Sequence, residues 1–209
     1  MAVEVQKVVT SGTFSLDGGT WDVDNNVWLI GDDQQVIVID AAHDAAAIAD
    51  AVAGREVVAI LLTHAHDDHV DAAPALAEAT GAPVYLNPAD APLWELAHPG
   101  VPLPAPLTDG QTFEVAGTTL VVRHTPGHAP GASVFVVPDL GAVFTGDTLF
   151  QGGPGATGRS FSDFPTIVDS ITDVLLALPP ETVVHTGHGD DTTIGAEAPH
   201  RQEWIDRGH

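Results

Sequence analysis

Residues 61–72 read LLTHAHDDHVDA, so His64, His66 and His69 fall within six positions, with Asp67, Asp68 and Asp71 among them. Imidazole nitrogens and carboxylate oxygens are donors for zinc, iron or manganese, and such crowding after an apolar run is expected of a metal site. A polar turn after a buried strand would read the same way over one segment, so the rest of the chain has to decide. Four other apolar runs also end in a carboxylate or an imidazole. Residues 35–39 end at Asp40, 118–123 lead through HTPGH to His128, 142–145 run into GDT with Asp147, and 182–185 run into TGHG with His188. Loops at strand ends are where α/β folds assemble their sites. Gly127, Gly146, Gly187 and Gly189 beside these residues permit tight turns and close backbone approach. Five histidines and two aspartates exceed what one tetrahedral zinc takes and suit two ions sharing a carboxylate.

The elements that must carry these loops are legible from patterning. Strand-like runs occupy 3–9, 12–16, 26–30, 35–39, 57–62 and 83–86, with hairpins in QTFEVAGTTLVVRH and GASVFVVPDLGAVFTGD and a last strand in ETVVHTGHG. Helices are expected over 44–53, 70–79 and 88–97, from Pro165 onward, and in EAPHRQEWI with Thr192 or Thr193 as its cap. Strands and helices interleave in two similar halves, which predicts two packed sheets with helices outside, in one domain spanning 1–209.

The chain has 209 residues, 44% of them hydrophobic, enough for one sizeable core. Its 29 acidic and six basic residues give a net charge of −23, which repels nucleic acid and anionic membrane. There is no cysteine, hence neither a disulfide framework nor a thiolate nucleophile. No signal-peptide pattern or membrane-length apolar run is present, so a cytoplasmic protein, monomeric or homodimeric, is expected.

HAHDDH followed by His128, Asp147 and His188 resembles the His-x-His-x-Asp-His signature of the metallo-β-lactamase superfamily, and the likeness spans residues 40 to about 197. It implies a four-layered αββα sandwich. It also implies one ion on His64, His66 and His128, a second on Asp68, His69 and His188, and Asp147 bridging both. Asp68 and Asp147 thereby become catalytic as well as ligating, and Asp40 stands behind the ligands and supports them. Zinc is the expected metal, with iron or manganese also compatible. Of the remaining histidines, His124 is expected to bond within its own loop, His43 and His185 to lie either behind the ligands or apart from them, and His98, His200 and His209 on the surface. Asp67 and Asp71 read as solvent-facing or capping residues. The four tryptophans, Trp21, Trp28, Trp94 and Trp204, read as fillers of a core or an interface and not as a stacking platform.

Two ions sharing a water would lower its pKa and polarise a carbonyl, so hydrolysis of an ester-like bond is the expected chemistry. GDTLFQGG, the later GR and DFP, and GHG followed by TTIGAE resemble the small glyoxalase II-like hydrolases, which cleave thioesters of small thiols. The compact GRTDFP-type element of that group is opened here into GPGATGRSFSDFP. The chain also ends about twenty residues after His188, where larger members carry a glutathione-holding helical domain. A thiol other than glutathione, mycothiol among them, is therefore compatible. Arg159, in the loop after Asp147, is the expected contact for a substrate carboxylate, with pairing to Asp163 as the structural alternative. A mononuclear-iron persulfide dioxygenase on His64, His128 and Asp147, or a lactonase using Tyr85, are the rival chemistries.

Overall fold

A computed structural model describes residues 3–208; His209 lies outside them. The chain opens with a long hairpin, β1 (Glu4–Leu16) and β2 (Gly19–Gly31), paired in unbroken antiparallel register from Glu4↔Gly31 to Leu16↔Gly19. Two short strands were expected where β1 runs through, and β2 begins seven residues before the apolar run at 26–30. β1 alternates exposed and half-buried residues along most of its length, and residues 19–24 of β2 are exposed or half-buried, so in β2 only the inner end carries a continuous apolar signal. β3 (Gln35–Ile39), β4 (Glu56–Leu61), β5 (Val84–Leu86) and the short β6 (Ala105–Pro106) complete this sheet in the order β1 to β6, parallel from β3 onward.

The second sheet contains β7 (Thr112–Val115), β8 (Thr118–His124), β9 (Ser133–Val137), β10 (Ala142–Gly146), β13 (Val183–Thr186) and β14 (Thr192–Thr193), in the order β14-β13-β10-β9-β8-β7. A small hairpin, β11 (Leu149–Phe150) and β12 (Gly153–Pro154), follows β10.

Side-chain alternation builds the layers. Ile37 and Ile39 of β3 with Ala59 and Leu61 of β4 meet Leu120, Val122, Phe135, Val137 and Phe144 of the second sheet in a shared core. Val36, Val38, Ile60 and Leu62 face the other way, onto α1 (Ala45–Val52), α3 (Ala73–Thr80) and α4 (Ala91–Ala97) through Ile48, Val52, Leu76, Leu93 and Trp94. On the far side Val134, Val143 and Val184 pack against Ile167 of α5 (Phe164–Ser170), Ile171 and Leu175 of the wide π turn continuing it, Ile194 of α6 (Ile194–Glu197) and Trp204 of α7 (Arg201–Arg207). The order is helix, sheet, sheet, helix, as the sequence predicts.

The expected helix over 70–79 divides into α2 (Asp67–Val70) and α3, because Pro74 sits in the first turn of α3 and suits only a helix start. Asp44 caps α1, Asp163 caps α5 and Thr193 caps α6. No helix among the described residues is long and apolar enough to cross a membrane.

Candidate metal centre

At one end of the sandwich the two sheets are stitched together, by Asn26 N–H to Gly187 O at 2.8 Å, Trp28 Nε1 to Thr186 O at 3.0 Å and Ser133 N–H to Thr63 O at 2.8 Å. That end carries all seven residues the sequence singles out. His64 and His66 lie just past β4, Asp68 and His69 on α2, His128 between β8 and β9, Asp147 past β10 and His188 past β13. The approach is close enough that a Cβ at Gly187 would overlap Asp147 Oδ1, and one at Gly146, held at φ 49°, would overlap the Thr63 side chain. Glycine is required at both positions.

Four of the five rings have their Nδ1 engaged behind the site and turn Nε2 inward. His128 Nδ1 donates to Ala156 O at 2.8 Å and His188 Nδ1 to Asp24 O at 2.7 Å. His69 Nδ1 donates to Asp40 Oδ2 at 2.9 Å. Thr63 Oγ1 gives its proton to Asp40 Oδ2 at 2.9 Å, so at 3.0 Å from His64 Nδ1 it can only accept. Asp40 therefore sets the tautomer of His69 directly and of His64 through one hydroxyl, and it also accepts Thr63 N–H at 2.8 Å. It lies behind the candidate ligands. His66 is the exception and presents Nδ1, which stands 3.0 Å from both His64 Nε2 and His128 Nε2.

Three imidazole nitrogens at that spacing, with Nδ1 protons already committed on two of the rings, place lone pairs against one another. A cation between them removes the conflict. A second group brings Asp68 Oδ2 within 3.5 Å of His69 Nε2 and 3.3 Å of His188 Nε2, and those two nitrogens are 3.2 Å apart. Asp147 lies between the groups. Its Oδ1 is 3.2 Å from His69 Nε2, out of line for a hydrogen bond, and its Oδ2 is 3.6 Å from His128 Nε2 and 3.5 Å from His188 Nε2. His64, His66 and His128 form one set able to hold an ion, Asp68, His69 and His188 another, and Asp147 closes a third with His64 and His69. The donor set fits a metal-binding cluster of nitrogen and oxygen ligands.

Charge divides the same way. Burial pushes His66 down to about 3, and it also lowers His64 and His128, so that set is neutral. Burial also acts to lower His188 and His69, but Asp147 and Asp68 outweigh it, raising His188 to about 10 and His69 well above its ordinary value. Burial works to raise Asp147, yet His188 and His69 hold it well below the usual carboxylate range.

His66, Asp68, His128, Asp147 and His188 form the floor of a cavity of about 130 Å³. Its walls are Phe14, Leu16 and Val23 of the β1–β2 hairpin and Ala156, Arg159, Ser160 and Ser162 of the loop after β12. Asp17 at the hairpin turn accepts Ser160 N–H at 3.0 Å, which fastens the two walls together. Arg159 does not pair with Asp163, whose carboxylate is taken up by Thr166 N–H at 2.9 Å and the Thr166 hydroxyl at 2.6 Å. Its guanidinium lies 3.9 Å from the Trp21 ring centre and 5.1 Å from that of Phe14, and the two rings stack at 5.7 Å. Trp21 is 42% exposed and does act as a stacking platform, contrary to the expectation for the four tryptophans; Trp28, Trp94 and Trp204 are buried. Trp21 stands on an exposed part of β2, where its partners come from tertiary pairing and leave no local signal.

His124 bonds Pro130 O within its loop at 2.9 Å, as expected. His185 faces Asp191 at 2.9 Å and lies against Trp28 and Phe144, away from the ligands. His98 is half-buried, with Nε2 on Val70 O and its ring on Trp94, so it is no simple surface residue, whereas His200 is exposed. Asp71 is exposed at the end of α2, as expected, and accepts His43 N–H, whereas Asp67 is half-buried and accepts Ser15 N–H and, in the first turn of α2, Asp68 N–H. Tyr85 packs on Phe113 beside the inter-sheet core. Sequence reasoning missed the buried Asp90, which accepts Ala65 N–H between two ligands and Gly131 N–H after His128.

The fold and this site define a class. The family model of the metallo-beta-lactamase superfamily matches residues 20–188, and the chain belongs to that superfamily. The hydroxyacylglutathione hydrolase GloC of Haemophilus influenzae is 34% identical over 188 residues, covering 82% of this chain and 89% of its own length. Among solved structures, TTHA1623 in a di-iron-bound form superposes with a TM-score of 0.75 at 39% identity, over 84% of this chain and 93% of that one. The BLEG-1 B3 metallo-beta-lactamase gives 0.75 at 30% identity, over 92% and 98%. The chain is thus a metallohydrolase-fold protein with a His/Asp metal-binding cluster.

Proposed function

We propose that this protein is a binuclear metal-dependent hydrolase that cleaves the thioester of a small thiol. The observation that carries this reading is Asp147, set between a three-histidine group and an Asp68–His69–His188 group at the floor of a mostly apolar cavity. The sequence likeness to a hydroxyacylglutathione hydrolase supports the thioester, and the di-iron-bound relative supports two ions.

His64, His66 and His128 would hold one ion, Asp68, His69 and His188 the other, and Asp147 would touch both. Two bound ions supply a hydroxide at neutral pH and a Lewis acid for the thioester carbonyl. The chain's own residues do the rest. Asp40 and Thr63 keep the protons of His64 and His69 on the nitrogens away from the pocket. Phe14, Leu16 and Val23 exclude water from the walls, and Arg159, held over Trp21, offers its free edge to a substrate carboxylate. A thiolate leaving group needs no general acid as strong as an amine would, consistent with the lack of a tyrosine among the lining residues.

The test is a panel of thioesters, lactones and persulfides assayed on metal-analysed protein. Thiol release from a thioester with about two ions per chain is expected. Oxygen uptake on a persulfide with one iron per chain would replace this reading by an oxidoreductase.

A further inference from the structure

Behind Asp68 a chain of buried polar groups closes on itself. Asn25, fully buried on β2, donates from Nδ2 to Asp68 Oδ2 at 3.0 Å. A carboxylate facing two imidazoles can only accept, so the amide must turn its NH2 toward Asp68 and its oxygen away. That oxygen lies 2.8 Å from His43 Nε2, which must therefore carry a proton. His43 is held in turn by Asp71, whose carboxylate takes the His43 backbone N–H and lies 3.4 Å from Nδ1. Asp71 directly follows α2, the helix that bears Asp68 and His69, so the path Asp68–Asn25–His43–Asp71 leaves that helix and returns to it.

Two further features show that this arrangement is built. His43 adopts φ 59°, a left-handed conformation that is costly for a non-glycine residue. Its ring lies flat against Gly12 in the middle of β1, where any Cβ would overlap it. Glycine weakens a strand interior, and here it clears the space the imidazole occupies.

We propose that His43 and Asn25 are positioning residues that select which oxygen of Asp68 faces the ion and hold it there. They thereby set the affinity of the Asp68–His69–His188 ion independently of the His64–His66–His128 ion. The inference rests on the binuclear reading given above. Asp68 Oδ2 is the oxygen nearest His69 Nε2 and His188 Nε2, and Asn25 donates to that same atom. Without the His43 proton, the Asn25 oxygen is left unsatisfied and the amide is free to turn, which brings oxygen against carboxylate. Asp68 then swings, while His64 and His128, held by Thr63 and Ala156, are untouched.

The experiment titrates zinc into metal-stripped protein against a chromophoric chelator, comparing wild type with His43→Phe, His43→Gln and Gly12→Ala. In His43→Phe, one of two ions should bind roughly 10–100-fold more weakly and the other as in wild type. Gly12→Ala should give the same one-sided loss by displacing the ring, and it keeps the test open if His43→Phe does not fold. His43→Gln, whose amide can still donate, should recover part of the affinity. At limiting zinc, kcat should fall with the occupancy of the weakened site and recover with excess zinc, KM being unchanged. Both ions bound as in wild type would overturn the proposal, and so would equal weakening of both with a lower unfolding midpoint of the metal-free protein. Wild type that binds a single ion would instead remove the binuclear reading, and the relay with it.

Discussion

Asp40→Asn perturbs the site without touching any atom that faces an ion. Asp40 is 2% exposed and accepts three protons, from Thr63 N, Thr63 Oγ1 and His69 Nδ1. An amide can serve only part of that set. With its oxygen toward Thr63 N, its NH2 meets both the threonine hydroxyl and His69 Nδ1. His69 must then move its proton to Nε2, the atom that faces Asp68 and Asp147. With the amide reversed, NH2 meets Thr63 N–H. Each lost bond to the carboxylate is worth about 1.5–3 kcal/mol. Loss of such a supporting carboxylate typically weakens a metal by 10–100-fold, about 1.4–2.8 kcal/mol. Because Asp40 reaches His69 directly and His64 only through Thr63, the ion on His69 should fall toward the upper end and the ion on His64 toward the lower. Both ions therefore weaken, unlike the one-sided effect expected at His43. Chelator competition on metal-stripped protein measures both constants, and a circular-dichroism melt checks the fold. A folded Asp40→Asn protein that binds both ions as wild type does would refute the tautomer argument.

Asp147→Asn should leave the fold intact yet weaken metal binding and cut turnover roughly a hundredfold or more, read by metal analysis and thioester kinetics at saturating metal. Arg159→Ala should raise KM for an anionic thioester about tenfold or more, for a contact worth roughly 1.5–3 kcal/mol, while a neutral analogue is little affected. Trp21→Leu should give part of the same loss, whereas equal losses on both substrates would assign the pair to loop architecture. Burial pushes Asp90 up to about 6, so the folded state binds its proton more tightly than the unfolded chain does. Asp90 therefore works against the fold at neutral pH and is relieved as pH falls through about 6. Between about pH 7 and 5, metal-free wild type should gain about 1 kcal/mol over Asp90→Asn in urea unfolding, and parallel pH profiles would contradict this.

The candidate ligands were legible because each is written twice, as a residue type and as a position just past an apolar run. Buried parallel strands such as β3 and β4 are apolar on both faces, so their ends stand out sharply. The outer part of β2, residues 19–24, carries no continuous apolar run because it is exposed or half-buried, so only its inner end is legible. What supports the ligands was less legible. Asn25 and His43 are 18 residues apart, and Asp90 meets Ala65 and Gly131 across 25 and 41 residues. Such contacts depend on how the strands are brought together and have no fixed spacing. The same holds for Arg159, whose aromatic partners come from the opposite end of the chain.

The most direct test is metal analysis of the purified protein coupled to a thiol-release assay on thioesters. The account predicts about two divalent ions per chain, turnover that disappears on chelation and returns in step with reloading, and loss of the second ion in His188→Ala. A fully active protein holding one ion, indifferent to His69→Ala and His188→Ala, would contradict it.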